Sequence, residues 1–395
     1  MSLFFWKLAG EASLAIWVYL VLGRGGFWRP PTIRLSRWSG ESPIQGQAPQ
    51  GAAGTFLAAI VPARDEAEVI ARSITSLLEQ SVPGGIQVFV VDDGSSDGTA
   101  GVALAAAEKA GKAQSLHVIP GQTLPPGWSG KLWAMQQGIA CARAFAPRYL
   151  LLTDADIVHS PDELAGLIAC METGGFDLAS LMVQPRCRSF AEKLLMPAFV
   201  FFFFQLYPPR WVADARRATA GAAGGCLLLR PEALERAGGL AAVRGEVIDD
   251  CALAGVVKRN GGKLWLGAAR ETASIRGEEG FTGIGRMIAR TAFSQLRHSA
   301  VLLLLTMVAM TLMYLLPAVL AFSGRLVTAL PGIAGWLLMT VAYRPTVRHC
   351  RLSLLWALTL PVAALFFTGA TFCSALMYWC GQGGKWKGRV QDSRG

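Results

Sequence analysis

The sequence predicts an α/β domain of the Rossmann-like kind, accompanied by transmembrane helices at its N- and C-terminal ends. Three observations in the 395 residues predict it. Apolar runs of about bilayer-crossing length stand at 3–22 and again after residue 299. Between them, short β-like apolar runs alternate with helical patterns, the signature of a βαβ sheet with helices on both faces. The composition, 52% hydrophobic against 16% charged, is too apolar for a wholly soluble chain of this size.

The linear reading divides the chain into an N-terminal transmembrane helix at 1–22, a linker at 23–54, a catalytic-type domain at 55–299, a transmembrane region at 300–380 and a basic tail at 381–395. Arg24, Arg29, Arg34 and Arg37 come directly after the first run, and on the positive-inside rule they put the central region in the cytoplasm. A cleaved signal peptide is the competing reading, but no small-residue cleavage site comes after Leu22. Lys7 and Glu11 stand one helical turn apart in the run, where each partly neutralises the other. The linker is rich in Gly, Pro, Ser and Gln and has no hydrophobic period.

In the central region the β-like runs are 56–61, 86–91, 116–119 and 149–153, and helical patterns fill 66–80, 99–111 and 131–144. Ligands of such open sheets bind at the carboxyl ends of the strands, so the polar residues that end the runs are the candidates. After residue 299 the apolar runs are 301–322, 326–343 and 352–380, the last longer than one span needs. Arg344, Arg348, His349 and Arg351 mark one connection as cytoplasmic. One crossing per run would leave Lys385, Lys387, Arg389 and Arg394 outside, against the charge rule. Either the last run is a hairpin around Pro361, or another run does not span.

The formal charge of +10 does not indicate nucleic acid, because the Lys and Arg residues are scattered or gathered beside apolar runs. A membrane surface is the expected partner. The eight cysteines form no C-x-x-C pair, so neither a zinc site nor a redox motif is signalled.

Acidic residues at the strand ends carry the chemistry. The first run ends in Val61-Pro62-Ala63-Arg64-Asp65-Glu66, a loop opening a helix whose N-terminal N–H groups suit an anion, with helix capping as the rival role. The second ends in Asp92-Asp93-Gly94-Ser95-Ser96-Asp97, where two carboxylates suit a nucleobase N–H and ribose hydroxyls, and Asp97 suits a helix cap. The fourth ends in Thr153-Asp154-Ala155-Asp156, whose two aspartates can direct oxygens to one hard divalent cation, Mg2+ or Mn2+, shared with a diphosphate. Lys131, in Trp128-Ser129-Gly130-Lys131 at a helix start, can reach that diphosphate as a point charge. Asp249 and Asp250 open a later helical pattern, where a carboxylate can take a proton from an attacking hydroxyl or simply favour the helix dipole.

The order Asp92-Asp93, Asp154-x-Asp156, Asp249-Asp250 resembles the three acidic motifs of the family-2 inverting glycosyltransferases of GT-A fold, over roughly 56–299. More narrowly, the stretches 124–135, 180–183 and 248–254 are similar to the hopene-associated glycosyltransferases (HpnB type) of bacterial hopanoid gene clusters. The resemblance implies a GT-A-like nucleotide-sugar domain, nucleotide contacts at Asp92 and Asp93, metal at Asp156 with Asp154 beside it, and the base at Asp250. The usual Glu-Asp is Asp249-Asp250 here, which leaves open which acid acts. Gln295-Leu296-Arg297-His298-Ser299 lacks the Arg-Trp that processive synthases carry.

Together these readings give an expected membrane-bound hexosyl-type transferase of the bacterial inner membrane, catalytic domain cytoplasmic. Pro62, Asp65, Glu66, Asp92, Asp93, Lys131 and Asp154 are the expected contacts of a nucleotide-sugar donor, a UDP-sugar. The acceptor is a lipid, hopanoid or polyprenyl. Transfer to polyprenyl phosphate, which needs little base catalysis, is the alternative enzyme. A non-catalytic membrane scaffold is the alternative from another class, opposed by the intact set of acids. The phenylalanine-rich stretch 194–207 is expected to be too short to span and to lie in the bilayer interface near the acceptor, a buried core helix being the rival. Arg286, Arg290 and Arg297 add to the case for a domain lying on anionic lipid.

Overall fold

A computed structural model of the chain describes residues 2–33, 57–82, 84–381, 385–386 and 389–390. Arg34, Arg37 and most of the linker lie outside the described residues, as do Lys387, Gly388 and Arg394 of the tail. The chain forms two compact units. One gathers Met1–Pro30, Pro185–Trp211 and Gly277–Lys385; the other gathers Pro31–Gln184, Val212–Arg276 and Trp386–Gly395. Residues 185–211 and 277–299, which the linear reading assigns to the catalytic segment, therefore group with the apolar helices.

The second unit is built on an eight-stranded mixed sheet. Its strands are β1 (Leu57–Ala63), β2 (Ile86–Asp92), β3 (Leu116–Pro120), β4 (Tyr149–Leu152), β5 (Ile157–Val158), β6 (Leu178–Gln184), β7 (Leu227–Leu229) and β8 (Leu264–Ser274), in the order β3-β2-β1-β4-β7-β6-β8-β5. All seven residues of β1 are buried, as a strand covered on both faces must be, which is why its sequence is apolar throughout rather than alternating. Leu57, Ala59 and Val61 share a core with Ile70, Ile74 and Leu77 of the helix Ile70–Leu78 and with Ala103 and Ala107 of the helix Thr99–Lys109. On the opposite face Ile60 meets the helix Gly130–Ala142 at Gly138, where an added Cβ would lie 2.7 Å from the Ile60 side chain. Only glycine lets that helix approach the sheet so closely.

Because β2, β1 and β4 run parallel, their carboxyl ends emerge at one edge of the sheet. The α/β, GT-A-like architecture expected from the sequence is thus present. One local difference concerns 66–69. The helix begins at Ile70, not Glu66, because Asp65 takes a left-handed backbone (φ 50°) and the next N–H groups bond to the neighbouring loop.

In the first unit, five helices among the described residues are long and apolar enough to cross a membrane: Leu3–Gly23, Phe190–Ala213, Ala300–Ala321, Leu326–His349 and Leu354–Trp379. Lys7 and Glu11 form the expected pair, 3.7 Å apart. The stretch 300–321 contains a π-helical turn, Thr311–Leu315, just before Pro317. Proline has no N–H to give the carbonyl four residues back, and Trp17 Nε1 donates to that Met313 carbonyl at 2.6 Å while Ser13 Oγ donates to Leu312 O at 2.7 Å. The first helix thereby satisfies backbone groups that apolar surroundings would leave costly.

Two expectations are corrected here. The last apolar run is not a hairpin: Pro361 sits in the first turn of the helix Leu360–Trp379, where its missing N–H costs nothing. The phenylalanine run is not too short to span, because a Ser189–Glu192 capping box starts its helix at Phe190 and the apolar helical stretch reaches Ala213. Nor is Phe201 an interface residue. It is 1% exposed and lies 5.2 Å, ring to ring, from both Phe27 and Tyr343, so the core reading wins there. Despite its length this helix cannot be a crossing. β6 precedes it, β7 comes after it, and the two pair in one sheet, so both ends of the helix return to the same side of any membrane.

Candidate functional site

The loops after β1 and β2 are tied to each other before any ligand is considered. Arg64 Nη1 donates to the Asp93 carbonyl at 3.0 Å and to Asp93 Oδ2 at 3.3 Å, and Asp93 is buried. Asp92 Oδ1 accepts from the Ser95 N–H at 2.9 Å, which closes the turn. The N–H groups of Asp65, Glu66 and Ala67, expected to be open to an anion, donate instead to Ser95 Oγ, Thr99 Oγ1 and Asp97 Oδ2. Asp65 Oδ1 accepts from the Ser96 N–H in return. Hydrogen bonds from Thr99 and from the Ala67 N–H hold the Asp97 carboxyl below its ordinary pKa. Asp97 thus acts between the loops as well as beside the next helix. Pro62 is buried and pairs with Val91 in the β1–β2 ladder, so it shapes the strand.

A second group gathers beside β4. Ser129 caps the helix Gly130–Ala142 through its Oγ, which accepts from the Leu132 N–H, and this sets Lys131 in the first turn. Lys131 Nζ lies 2.7 Å from Asp154 Oδ1 and 3.8 Å from Asp249 Oδ2. Burial opposes the ammonium charge, but the carboxylates of Asp154, Asp249 and Asp250 outweigh it and raise the Lys131 pKa, so the group stays cationic. Asp250 Oδ2 accepts from the Gly224 N–H at 2.7 Å and its Oδ1 from the Cys251 N–H at 2.7 Å. Burial, then the charge of Asp249, push the Asp250 carboxyl up to about 6, against the pull of Lys131 and these two bonds. A carboxylate with that value is ionised at neutral pH and yet a stronger base than a solvated aspartate. A pocket beside it is lined by Lys131, Met135, Gly224, Leu227, Asp249 and Asp250.

Asp156 faces elsewhere. It accepts from Ser274 Oγ at the end of β8, its backbone carbonyl accepts from the Ile275 N–H at 3.0 Å, and Arg276 Nε stands 4.0 Å from Oδ2. Arg276 is also ion-paired with the buried Glu66. Burial and the nearby Asp154 charge raise the Asp156 carboxyl, a repulsion that a cation between the two would relieve. Among the described residues no group of three or more His, Cys, Asp or Glu side chains could hold a metal. Asp154 and Asp156, turned to Lys131 and Ser274, are carboxylates of the kind a hard cation takes, and holding one between them would require both to leave these partners and a diphosphate to supply the remaining oxygens.

The fold thus brings Lys131, Asp154, Asp249 and Asp250 into one cluster and holds Asp65, Glu66, Asp92 and Asp93 in another. Sequence reading missed Gly224, Ser274 and Arg276. The Gly224-Gly225 pair in the small-residue run 219–226 was a usable signal of close backbone approach. Nothing in local spacing links Ser274 or Arg276 to Asp156, more than a hundred residues before them.

Comparison with known proteins gives this geometry its setting. Residues 58–238 match the model of Glycosyl transferase family 2. An uncharacterized protein of Methanocaldococcus jannaschii is 30% identical over 120 residues, 30% of this chain and 43% of that protein, so the match spans under half the length of that relative. A solved mannosyltransferase from Pyrobaculum calidifontis, in complex with GDP-Man and Mn2+, is 19% identical over 90% of this chain and 99% of its own, with a TM-score of 0.48. Glucosyl-3-phosphoglycerate synthase from Mycobacterium tuberculosis, in complex with Mn2+, UDP-Glc and phosphoglyceric acid, is 20% identical over 61% of this chain and 80% of its own, with a TM-score of 0.38. TarS of S. aureus is 17% identical over 60% and 40%, also at 0.38. The stretch similar to Glycosyl transferase family 2, residues 58–238, holds the loops after β1, β2 and β4 together with Lys131, and ends before Asp249 and Asp250.

Proposed function

We propose that this chain is a membrane-bound inverting glycosyltransferase that moves a sugar from a nucleotide-sugar donor, a UDP-sugar, to the hydroxyl of a lipid, a hopanoid or related polycyclic or polyprenyl lipid. The observation that carries the reading is the Asp250 carboxylate. It is fixed by the Gly224 and Cys251 N–H groups, its pKa is raised to about 6, and it stands in one cluster with Lys131 and Asp154. The acceptor oxygen attacks the anomeric carbon, the bond from that carbon to the diphosphate oxygen breaks on the opposite face, and Asp250 takes the hydroxyl proton. The Lys131 ammonium offsets charge on the departing nucleoside diphosphate. Asp154 and Asp156 are the residues that would hold a divalent cation, Mg2+ or Mn2+, which when bound supplies further charge offset at the diphosphate. Asp92 and Asp93 end β2 at the same sheet edge and are the proposed nucleotide contacts, with Asp65 and Glu66 shaping the loop beside them.

The membrane part of the proposal rests on the apolar helices. With Phe190–Ala213 returning to its own side, the candidate crossings are Leu3–Gly23, Ala300–Ala321, Leu326–His349 and Leu354–Trp379, and all four together would put the basic tail from Lys385 on the side away from the catalytic domain, against the charge rule. Arg24 and Arg29 on one side, and Arg344, Arg348 and Arg351 two crossings after residue 299, then fall on the side of the catalytic domain, as the positive-inside rule asks of a cytoplasmic face. The bacterial inner membrane is the proposed location. The test is transfer of label from a panel of UDP- and GDP-sugars into the lipid fraction, using the full chain in vesicles with Mg2+ or Mn2+. Label in lipid, lost in Asp250→Asn, is expected. Absence of both transfer and nucleotide binding would overturn the proposal.

A further inference from the structure

A buried hydrogen-bond chain joins the end of β4 to the loop before β7, and its far end touches Asp250. Thr153, fully buried, donates through Oγ1 to the carbonyl oxygen of Gly225 at 2.7 Å. A carbonyl can only accept, so the single hydroxyl proton is committed there. The contact between Thr153 Oγ1 and His159 Nε2 at 2.9 Å must then run from the imidazole to the hydroxyl. Burial holds the imidazole pKa far below its ordinary value, so His159 is neutral, and donation from Nε2 makes it the Nε2-protonated tautomer. Its ring is 2% exposed, and its buried Nδ1 has no hydrogen-bond partner among the described residues.

The loop so held is the one that serves the carboxylate. Two peptide units before that of the Gly225 carbonyl, the Gly224 N–H donates to Asp250 Oδ2 at 2.7 Å. A Cβ on Gly224 would lie 3.3 Å from Asp250 Oδ2 and 3.4 Å from Lys131 Nζ, so the bare backbone is packed against both charged groups. Ser180 in β6 secures the flanking residues, since its Oγ accepts from the Ala223 N–H and has two acceptors within reach of its one proton, Cys226 O at 3.0 Å and Ala223 O at 3.1 Å. Only Thr153 among the described side chains bonds to the Gly225 carbonyl.

We propose that Thr153 and His159 are positioning residues: they fix the Gly225 carbonyl so that the Gly224 N–H stays aimed at Asp250 and holds its carboxylate where it receives the acceptor proton. This rests on the reading of Asp250 as the base. Neither residue touches substrate. Both act at the Gly225–Cys226 peptide, two units from the one that carries the Gly224 N–H, whose own carbonyl, Ala223 O, accepts from the Cys226 N–H at 3.3 Å.

The test uses the full chain in lipid vesicles and reads kcat with a lipid acceptor, donor Kd by calorimetry, and Tm. Thr153→Val keeps the shape and removes the hydroxyl; kcat is expected to fall by about 10-fold or more with donor Kd within about twofold. Thr153→Ser, which keeps the hydroxyl, is expected to restore kcat to within about threefold of the native chain. On an Asp250→Asn background, Thr153→Val is expected to add almost nothing, because residues acting through one another are not additive. Should Thr153→Val fail to fold, His159→Phe carries the same reading, with kcat reduced by at least about threefold at unchanged donor Kd. A lower Tm with unchanged kcat, no rescue by serine, or a full additional loss on the Asp250→Asn background overturns the positioning role. Near-normal turnover by Asp250→Asn sinks the base assignment itself and this role with it, whereas an inactive Asp250→Asn beside a fully active Thr153→Val sinks the positioning role alone.

Discussion

Lys131 Nζ lies 2.7 Å from Asp154 Oδ1, and the same ammonium stands 3.8 Å from Asp249 Oδ2. One cation thus bridges the aspartate just after β4 and the acidic pair that opens the helix Asp249–Arg259. In the proposed mechanism it faces a diphosphate when the donor enters. Replacing it with methionine keeps the stem and removes the charge. Lys131→Met is expected to weaken donor binding and to lower kcat by about 10²-fold, the order seen when one charge-stabilising donor is lost. Calorimetry with the nucleotide sugar and steady-state turnover check both. Unchanged donor affinity would show that Lys131 serves only to neutralise its carboxylate neighbours.

Asp156 and Asp250 separate two roles. Asp156→Ala removes a proposed cation ligand and is expected to weaken donor binding in Mg2+ or Mn2+ and abolish turnover together. Asp250→Asn is expected to leave donor affinity nearly unchanged while kcat falls by roughly 10²-fold or more. Each variant is compared after its fold is checked by thermal unfolding. If Asp250→Asn keeps near-normal kcat, Asp249 or an already ionised acceptor such as polyprenyl phosphate becomes the better account.

The pH dependence stems from the Asp250 carboxyl, raised to about 6 by burial and by Asp249. Proton uptake removes the base, so kcat/KM is expected to fall on the acid side, with a midpoint near pH 6 if chemistry limits the rate. Asp249 raises the value, so Asp249→Asn moves this limb to lower pH. Lys131 lowers it, so Lys131→Met moves the limb to higher pH. Opposite shifts in the two variants, read from pH–rate profiles, are the expected result; shifts of one sign would detach the limb from Asp250.

Phe201, wedged between Phe27 and Tyr343, is a core residue of the helical unit. Phe201→Ala is expected to destabilise by about 3–5 kcal/mol, the usual cost of emptying a buried phenylalanine site. Phe190, 65% exposed, should tolerate the same change within about 0.5 kcal/mol. Thermal unfolding in detergent distinguishes them. Equal, small effects would return the phenylalanine run to the bilayer interface.

Much of the architecture was legible in the chain itself. Buried parallel strands need apolar runs on both faces, so β1, β2 and β4 were visible from composition and spacing, and chain order places the acids that end them. The helix starts at Thr99 and Gly130 were legible because small and polar capping residues precede them. Helices long and apolar enough to cross a membrane announce themselves by length and hydropathy.

What chain order could not contain is which side chains meet. Asp154 and Asp156, one residue apart, were expected to converge, yet the backbone turns them to different partners, Lys131 and Ser274. The N–H groups after Asp65 were expected to be open, yet the parallel register of β1 and β2 sets Ser95, Asp97 and Thr99 against them. Likewise 190–213 has the hydropathy of a crossing helix, and only the pairing of β6 with β7 forbids it to cross. The elements themselves were written in the residues, because propensity and hydrophobic period act over a few positions. Their pairings belong to the folded chain, because a hydrogen bond or ion pair depends on angstrom distances between segments as far apart in sequence as Asp156 and Ser274.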